Sequence, residues 1–204
     1  VLCASYHGGT QNWDIKQDSY GRMLFANNSG MLIYDSKKWT LCPIGNYTSV
    51  RSLMVDESTS RIYAGGSEEF GYYHNDPDRG CFVYKSLMPT LPKRNRHFTE
   101  VWNIHKSGKY IWFQSDFNLL RFDGSKSISI PYKYKITTSA LIRGRLYIAS
   151  KEGGICQLNG QTFTRVTGGE RVKGMRVCAL LPYLKGNILI VTVFYGVFIF
   201  DGST

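Results

Sequence analysis

One short pattern returns five times along this chain and limits its fold more than any other feature. The segments Met23–Asn27, Ile62–Gly66, Ile111–Ser115, Leu146–Ser150 and Ile188–Thr192 each run apolar, apolar or aromatic, apolar, then small or polar. Their starts are 39, 49, 35 and 42 residues apart. Self-similarity at a period of about 40 marks a repeat architecture, in which each unit is one supersecondary element that buries its faces against its neighbours.

Around each segment the same neighbours recur. A second strand follows within seven to nine residues of each start, as in Gly30–Asp35, Gly71–Tyr73, Asn118–Gly124, Gly154–Gly160 and Gly196–Gly202. Its Asp-Gly and Asn-Gly endings are hairpin signals. A strand precedes each segment, at Trp13–Ile15, Arg51–Leu53, Trp102–Ile104, Ser139–Leu141 and Cys178–Leu180, and stretches such as Lys38–Leu41 and Thr162–Arg165 supply a fourth. Four antiparallel strands per repeat is the arithmetic of a β-propeller blade, whose sheet is buried on both faces, so its strands read as apolar runs without clean alternation. Composition agrees: 21 Gly against 6 Pro, 14% aromatic and 43% hydrophobic residues suit short strands joined by tight turns. The expected fold is all-β, with blades over 12–49, 50–100, 101–136, 137–176 and 177–204, and with 1–11 a candidate closing strand. No window holds helical spacing of apolar residues over three turns. The longest apolar stretch, Ile188–Phe200, contains Thr192, Tyr195 and Gly196 and falls short of the about 20 residues a membrane helix needs. No secretion signal is expected within the 204 residues.

Residues 12–35, with Trp13, Gln17-Asp18, Gly21, Gly30 and Tyr34-Asp35, resemble the regulator-propeller repeat of bacterial two-component and related transcriptional regulators. Val50–Leu53 leading to Asp56, and Trp102–Ile104 leading to Ile111–Phe113, look like the same unit. Repeats four and five depart from it, since Arg143-Gly144 replaces a longer first turn and Pro182 interrupts the fifth. The resemblance implies a piece of a seven-bladed extracytoplasmic or periplasmic sensor that acts without catalysis. It further implies propeller and sandwich domains on the same polypeptide, a homodimer at full length, and signalling through a membrane segment. A free-standing five-bladed ring closed by Val1–Ser5 is the competing architecture.

The search for chemistry is brief. No GxSxG elbow, GxGxxG turn or P-loop occurs, and the four His stand at no metal-ligand spacing. No cofactor or metal is expected. The five Cys lack CxxC spacing, and Cys156 and Cys178, inside apolar runs, are expected to be buried free thiols. Carboxylates such as Glu68, Glu69, Asp116 and Glu152 would have to sit about 5–10 Å apart to act as a glycosidase pair. Asn27-Asn28-Ser29 and Asn46-Tyr47-Thr48 are glycan acceptors only in a secreted eukaryotic setting, and Asn28 reads as a turn residue.

Topology gathers the candidate site. In a blade, the loop between the second and third strands and the connection to the next blade emerge at the same end. That end collects Asn27, Asn28, Ser67, Glu68, Asp116, Lys151, Glu152 and Tyr195. It also collects Lys93, Arg94, Arg96, His97, Lys133, Lys135, Arg171, Lys173 and Arg176, where much of the +10 net charge lies. The repeat register places Trp13, Arg51, Trp102, Ser139 and Cys178 at the start of the innermost strands. Trp stacks on sugar faces and Arg offers forked hydrogen bonds, so Trp13, Asn27, Arg51, Glu68, Trp102, Asp116, Lys151 and Tyr195 form the candidate ligand-binding set. The expected ligand is a small molecule or oligosaccharide, and a basic rim suits an anionic one. Nucleic acid is not an expected partner. A protein-binding scaffold and a propeller glycosidase or lyase are the alternative functions.

Overall fold

The computed structural model describes residues 7–201 and is all-β apart from four short 3-10 turns. Nineteen strands form five antiparallel sheets, each a meander in sequence order. The first comprises β1 (Asn12–Gln17), β2 (Met23–Asn27), β3 (Gly30–Tyr34) and β4 (Trp39–Cys42). The second comprises β5 (Val50–Asp56), β6 (Arg61–Gly66), β7 (Phe70–Asp76) and β8 (Cys81–Ser86). The third holds β9 (Val101–Ser107), β10 (Tyr110–Ser115), β11 (Asn118–Phe122) and β12 (Ser127–Pro131), and the fourth β13 (Ile136–Ile142), β14 (Arg145–Ser150), β15 (Gly154–Asn159) and β16 (Thr162–Arg165). The fifth has three strands among the described residues, β17 (Val177–Pro182), β18 (Ile188–Thr192) and β19 (Val197–Phe200). The five sheets begin at Asn12, Val50, Val101, Ile136 and Val177, each within one residue of the start of an expected repeat, and end well before the next. Residues 1–6 of the candidate closing strand lie outside the described residues, and residues 7–11 form no strand. Among the described residues no helix is long and apolar enough to cross a membrane.

The chain divides into two compact units, residues 1–104 with 125–128, and residues 105–124 with 129–204. In the first unit, Leu24, Ala26, Met31, Ile33 and Cys42 of the first sheet pack on Leu53, Ile62, Ala64 and Tyr73 of the second. Directly paired residues share a sheet face, and the ladder Leu24–Ile33 and Ala26–Met31–Cys42 puts these side chains on one side. In the second unit, Ala140, Ile142, Tyr147, Ala149 and Ile155 of the fourth sheet pack on Leu180, Ile188, Ile190 and Phe200 of the fifth. β6, β10 and β14 are buried along nearly their whole length, which explains their unbroken apolar sequence. The opposite face of the fifth sheet differs. Ala179, Leu181, Leu189, Val191, Val197 and Ile199 share it by register and are all apolar, yet Val197 and Ile199 are each 58% exposed.

The tight first turn of the fourth sheet, Arg143-Gly144, has both residues at positive φ, 52° and 73°, as a two-residue hairpin requires. Pro182 closes β17 at its pairing with Ile188, a strand end where its missing N–H costs little.

Glu69 is buried in the turn between β6 and β7. Burial raises its pKa, and hydrogen bonds from Ser86 Oγ (2.8 Å), the Phe70 amide (2.9 Å) and Tyr84 Oη (3.3 Å) offset this only in part. An acid whose folded pKa exceeds its unfolded one contributes stability below the unfolded pKa, and that contribution is lost as pH rises through the folded value. Glu69→Gln is therefore expected to melt like the parent near pH 4 and about 2–4 °C above it at pH 7. Melting curves across pH 4–8 check this; parallel pH profiles for the two proteins would contradict it.

Candidate functional site

The site begins with a repeated irregularity. In the first, second, fourth and fifth sheets, the pairing of the first strand with the second slips by one residue near its start, and the skipped residues are Trp13, Arg51, Thr137 and Cys178. A β-bulge bends its strand and re-aims one side chain. The residue before the bulge is buried at Val50, Ile136 and Val177, which anchors the strand while the next side chain is turned out. Trp102 follows buried Val101 at the same place in the third repeat. Thr137, and not Ser139, is thus the fourth-repeat equivalent of Trp13 and Arg51. The apolar pattern around Ser139 fitted the expected alignment two residues late, and β13 begins at Ile136, one residue before the expected boundary.

Three of these side chains meet in the first unit. The Arg51 guanidinium carbon lies 4.0 Å from the Trp13 ring centroid and 5.6 Å from that of Trp102. The two indoles contact edge to face, with centroids 5.9 Å apart. Glu100 holds the guanidinium, accepting from Nε at 2.8 Å and from Nη2 at 3.4 Å. Nη1 is buried and has no hydrogen-bond partner. Trp13 donates its indole N–H to Asn28 Oδ1 at 2.7 Å and remains 39% exposed. Beside it, Asp14 accepts from the Leu53 amide (3.0 Å) and from Lys16 Nζ (2.6 Å). Each cation of the cluster is therefore matched by a carboxylate. The cluster offers one unused buried donor and an exposed indole, with no excess charge.

The other expected residues separate by role. Asn27 is fully buried and its carboxamide is spent, donating to Gly9 O, Gln11 O and Asn12 Oδ1 and accepting from the Gly9 and Ser29 amides, so it braces the loop and has nothing left for a ligand. Glu68 is exposed at φ 55° in a loop whose amide donates to Thr99 O, next to the Ser67–Glu100 bridge, and so stands near the cluster. Asp116, Lys151 and Tyr195 belong to the second unit. Asp116 is buried and pairs with Lys135 at 3.4 Å, while Lys151 and Tyr195 are exposed. Of the basic rim, Arg96 is a brace, donating to Leu91 O and Pro89 O.

In the second unit, Ser139 Oγ lies 2.9 Å from His105 Nε2, and burial lowers the His105 pKa to about 4. Cys156 is buried as expected, but Cys178 is exposed because the bulge turns it outward, toward Val191 O at 3.3 Å. Cys42, Cys81, Cys156 and Cys178 are free thiols. Among the described residues no three His, Cys, Asp or Glu side chains group as metal ligands. Glu100 is the site residue that sequence reading leaves unassigned, and Asn28, expected as a turn residue of the same loop end, also accepts from the Trp13 indole. Glu100 sits beside the expected Val101-Trp102 start, but its partner is 49 residues away.

Four-stranded meanders repeating at this period, with their bulged first strands, define a β-propeller architecture. The chain is similar in structure to the extracellular domain of the one-component system BT4673 of B. thetaiotaomicron, with a TM-score of 0.68 at 16% identity. It is similar also to the extracellular domain of that organism's hybrid two-component system BT3049, with a TM-score of 0.70 at 12% identity. These matches cover 96% and 95% of this chain and 27% of each of the others. The WD40 propeller domain of Doa1 matches with a TM-score of 0.66 at 12% identity over 91% of this chain and 63% of its own. At these identities the likeness shows the fold. No family model and no curated protein matches the chain.

Proposed function

We propose that the chain is part of an extracytoplasmic sensing propeller of a bacterial signal-transduction regulator, and that it recognises an oligosaccharide at Trp13, Arg51 and Trp102. The observation that carries the reading is the stack itself: an exposed indole backed by a guanidinium, with one buried Nη1 donor left over. The exposed indole suits the flat apolar face of a sugar ring. The neighbouring structures support the sensor setting, being extracellular domains of one-component and two-component systems. The all-apolar and partly exposed face of the fifth sheet supports further blades on the same polypeptide, because a sheet face meant for solvent would carry polar side chains. In this reading the segment binds and performs no bond-breaking step.

Charge matching refines the ligand. With Arg51 met by Glu100 and Lys16 by Asp14, the cluster favours a neutral ring over a sulfated one. Calorimetric titration of neutral and sulfated oligosaccharides is expected to show neutral binding that changes little between low and high salt, weakened about tenfold or more by Trp13→Ala. Preference for sulfated ligand that fades with salt would overturn the neutral assignment. Unchanged affinity in Trp13→Ala and Trp102→Ala would remove the site, and turnover of the titrant would replace the sensor with an enzyme.

A further inference from the structure

We infer that the first unit carries a second ligand site, a cleft of roughly 520 Å³ at the other end of the β1–β2 and β5–β6 strand pairs, which takes a small neutral ring compound bearing hydroxyl or amide groups. It lies a strand length from the Trp13 cluster and is independent of the function proposed there. Its volume falls within the ordinary range of small-molecule pockets.

The cleft is built on two braced turns. Asp18, buried at the end of β1, accepts from the Tyr20 amide (3.0 Å), the Arg22 amide (2.9 Å) and Arg22 Nε (2.7 Å). Glu57, in the turn after β5, accepts from the Ser19 amide (3.0 Å) and Ser19 Oγ (2.7 Å), which ties one turn to the other. Asp56 is likewise occupied, by the hydroxyls of Ser58 and Thr59 at 2.7 and 2.8 Å. Turns held this firmly present their remaining side chains at fixed positions, so less ordering is needed on binding.

What those turns present is an uncharged recognition surface. Val55, Ile62 and Phe82 line the cleft with apolar surface. Tyr20 stands at its lip, 83% exposed although its backbone amide is pinned by Asp18. Arg22 lies with its guanidinium carbon 5.2 Å from the Tyr20 ring centroid and 5.0 Å from that of Phe82, and its bond to Asp18 uses only Nε, which leaves the terminal nitrogens as donors. Asn75 and Ser60 also line the cleft, and among the described residues no side-chain hydrogen bond engages Asn75, Ser60 or the Tyr20 hydroxyl. Three carboxylates against Arg22 and Arg61 disfavour an anion, and since the carboxylates are already satisfied they do not call for a cation either. An apolar lining, an exposed ring at the lip and a few neutral or fork-type donors match a ring with one apolar face and hydroxyl or amide substituents.

Saturation-transfer NMR tests this with methyl glucoside, methyl galactoside and N-acetylglucosamine as neutral probes and glucuronate as the charged one. In the Trp13→Ala background, which removes the other site, at least one neutral probe is still expected to bind in the millimolar range and more tightly than glucuronate, with affinity falling about tenfold when Tyr20→Ala or Asn75→Ala is added. Both test positions are exposed, so the variants are expected to fold. Absence of binding by every neutral probe, tighter binding of glucuronate, or binding that survives Tyr20→Ala and Asn75→Ala would overturn the assignment. Loss in Trp13→Ala alone would move the probe to the other site.

Discussion

Glu100→Ala is expected to cost about 2–3 kcal/mol of unfolding free energy, between the about 3–5 typical of breaking a buried ion pair and the 0–1 of an exposed one. The side chains of Arg51 and Glu100 are 16% and 22% exposed, so the pair belongs near the buried end of that range. Glu100 is the acceptor for both Nε and Nη2, and Nη1 has no partner already. Without the carboxylate, the guanidinium between two indoles would keep none of these bonds and would swing toward solvent, taking the cation away from the Trp13 face. The loss should therefore appear twice, in urea unfolding and in oligosaccharide affinity. Arg51→Ala should cost a similar amount, and the double variant clearly less than the sum, since each single change strands the other charge. Strict additivity in the cycle would show that the pair is a solvated surface contact.

Gly154→Ala should be at least as damaging, at about 3 kcal/mol or more, from left-handed strain plus an unrelieved clash. Gly154 has φ 74°, and a Cβ there would lie 2.2 Å from the Gly169 carbonyl oxygen, a backbone atom that cannot move aside cheaply. The contact sits where the turn at Gly169–Val172 closes over β15, a packing continued by the Val166 amide donating to Ile155 O. Gly160 is the control. Its φ is 64° but nothing lies within 4 Å of its would-be Cβ, so Gly160→Ala should cost only about 1 kcal/mol. Equal losses in thermal or urea unfolding would mean that the second unit tolerates a shift of the 169–172 turn.

Much of this architecture is legible in the chain because both cues are local. Strands such as Ile188–Thr192 are recognisable from a handful of adjacent residues, and their spacing repeats. Trp13, Arg51 and Trp102 align because each stands one residue into its first strand, directly after a residue that the repeat makes easy to find. The same counting failed at Ser139, since a bulge adds a residue without any signature in side-chain chemistry, and Thr137 took the position. It failed at Cys178 for the same reason, an apolar neighbourhood hiding a residue turned outward.

The chain by itself determined the number of repeats and the order of strands within them, because hydrophobic runs and turn glycines act over a few residues. The tertiary structure alone decided which polar groups are spent and which are free. Asn27 bonds to Gly9 across 18 residues, and Arg51 to Glu100 across 49. Desolvation makes every buried polar group find a partner wherever the fold supplies one, so its identity depends on which loops meet in space and not on what stands beside it in sequence.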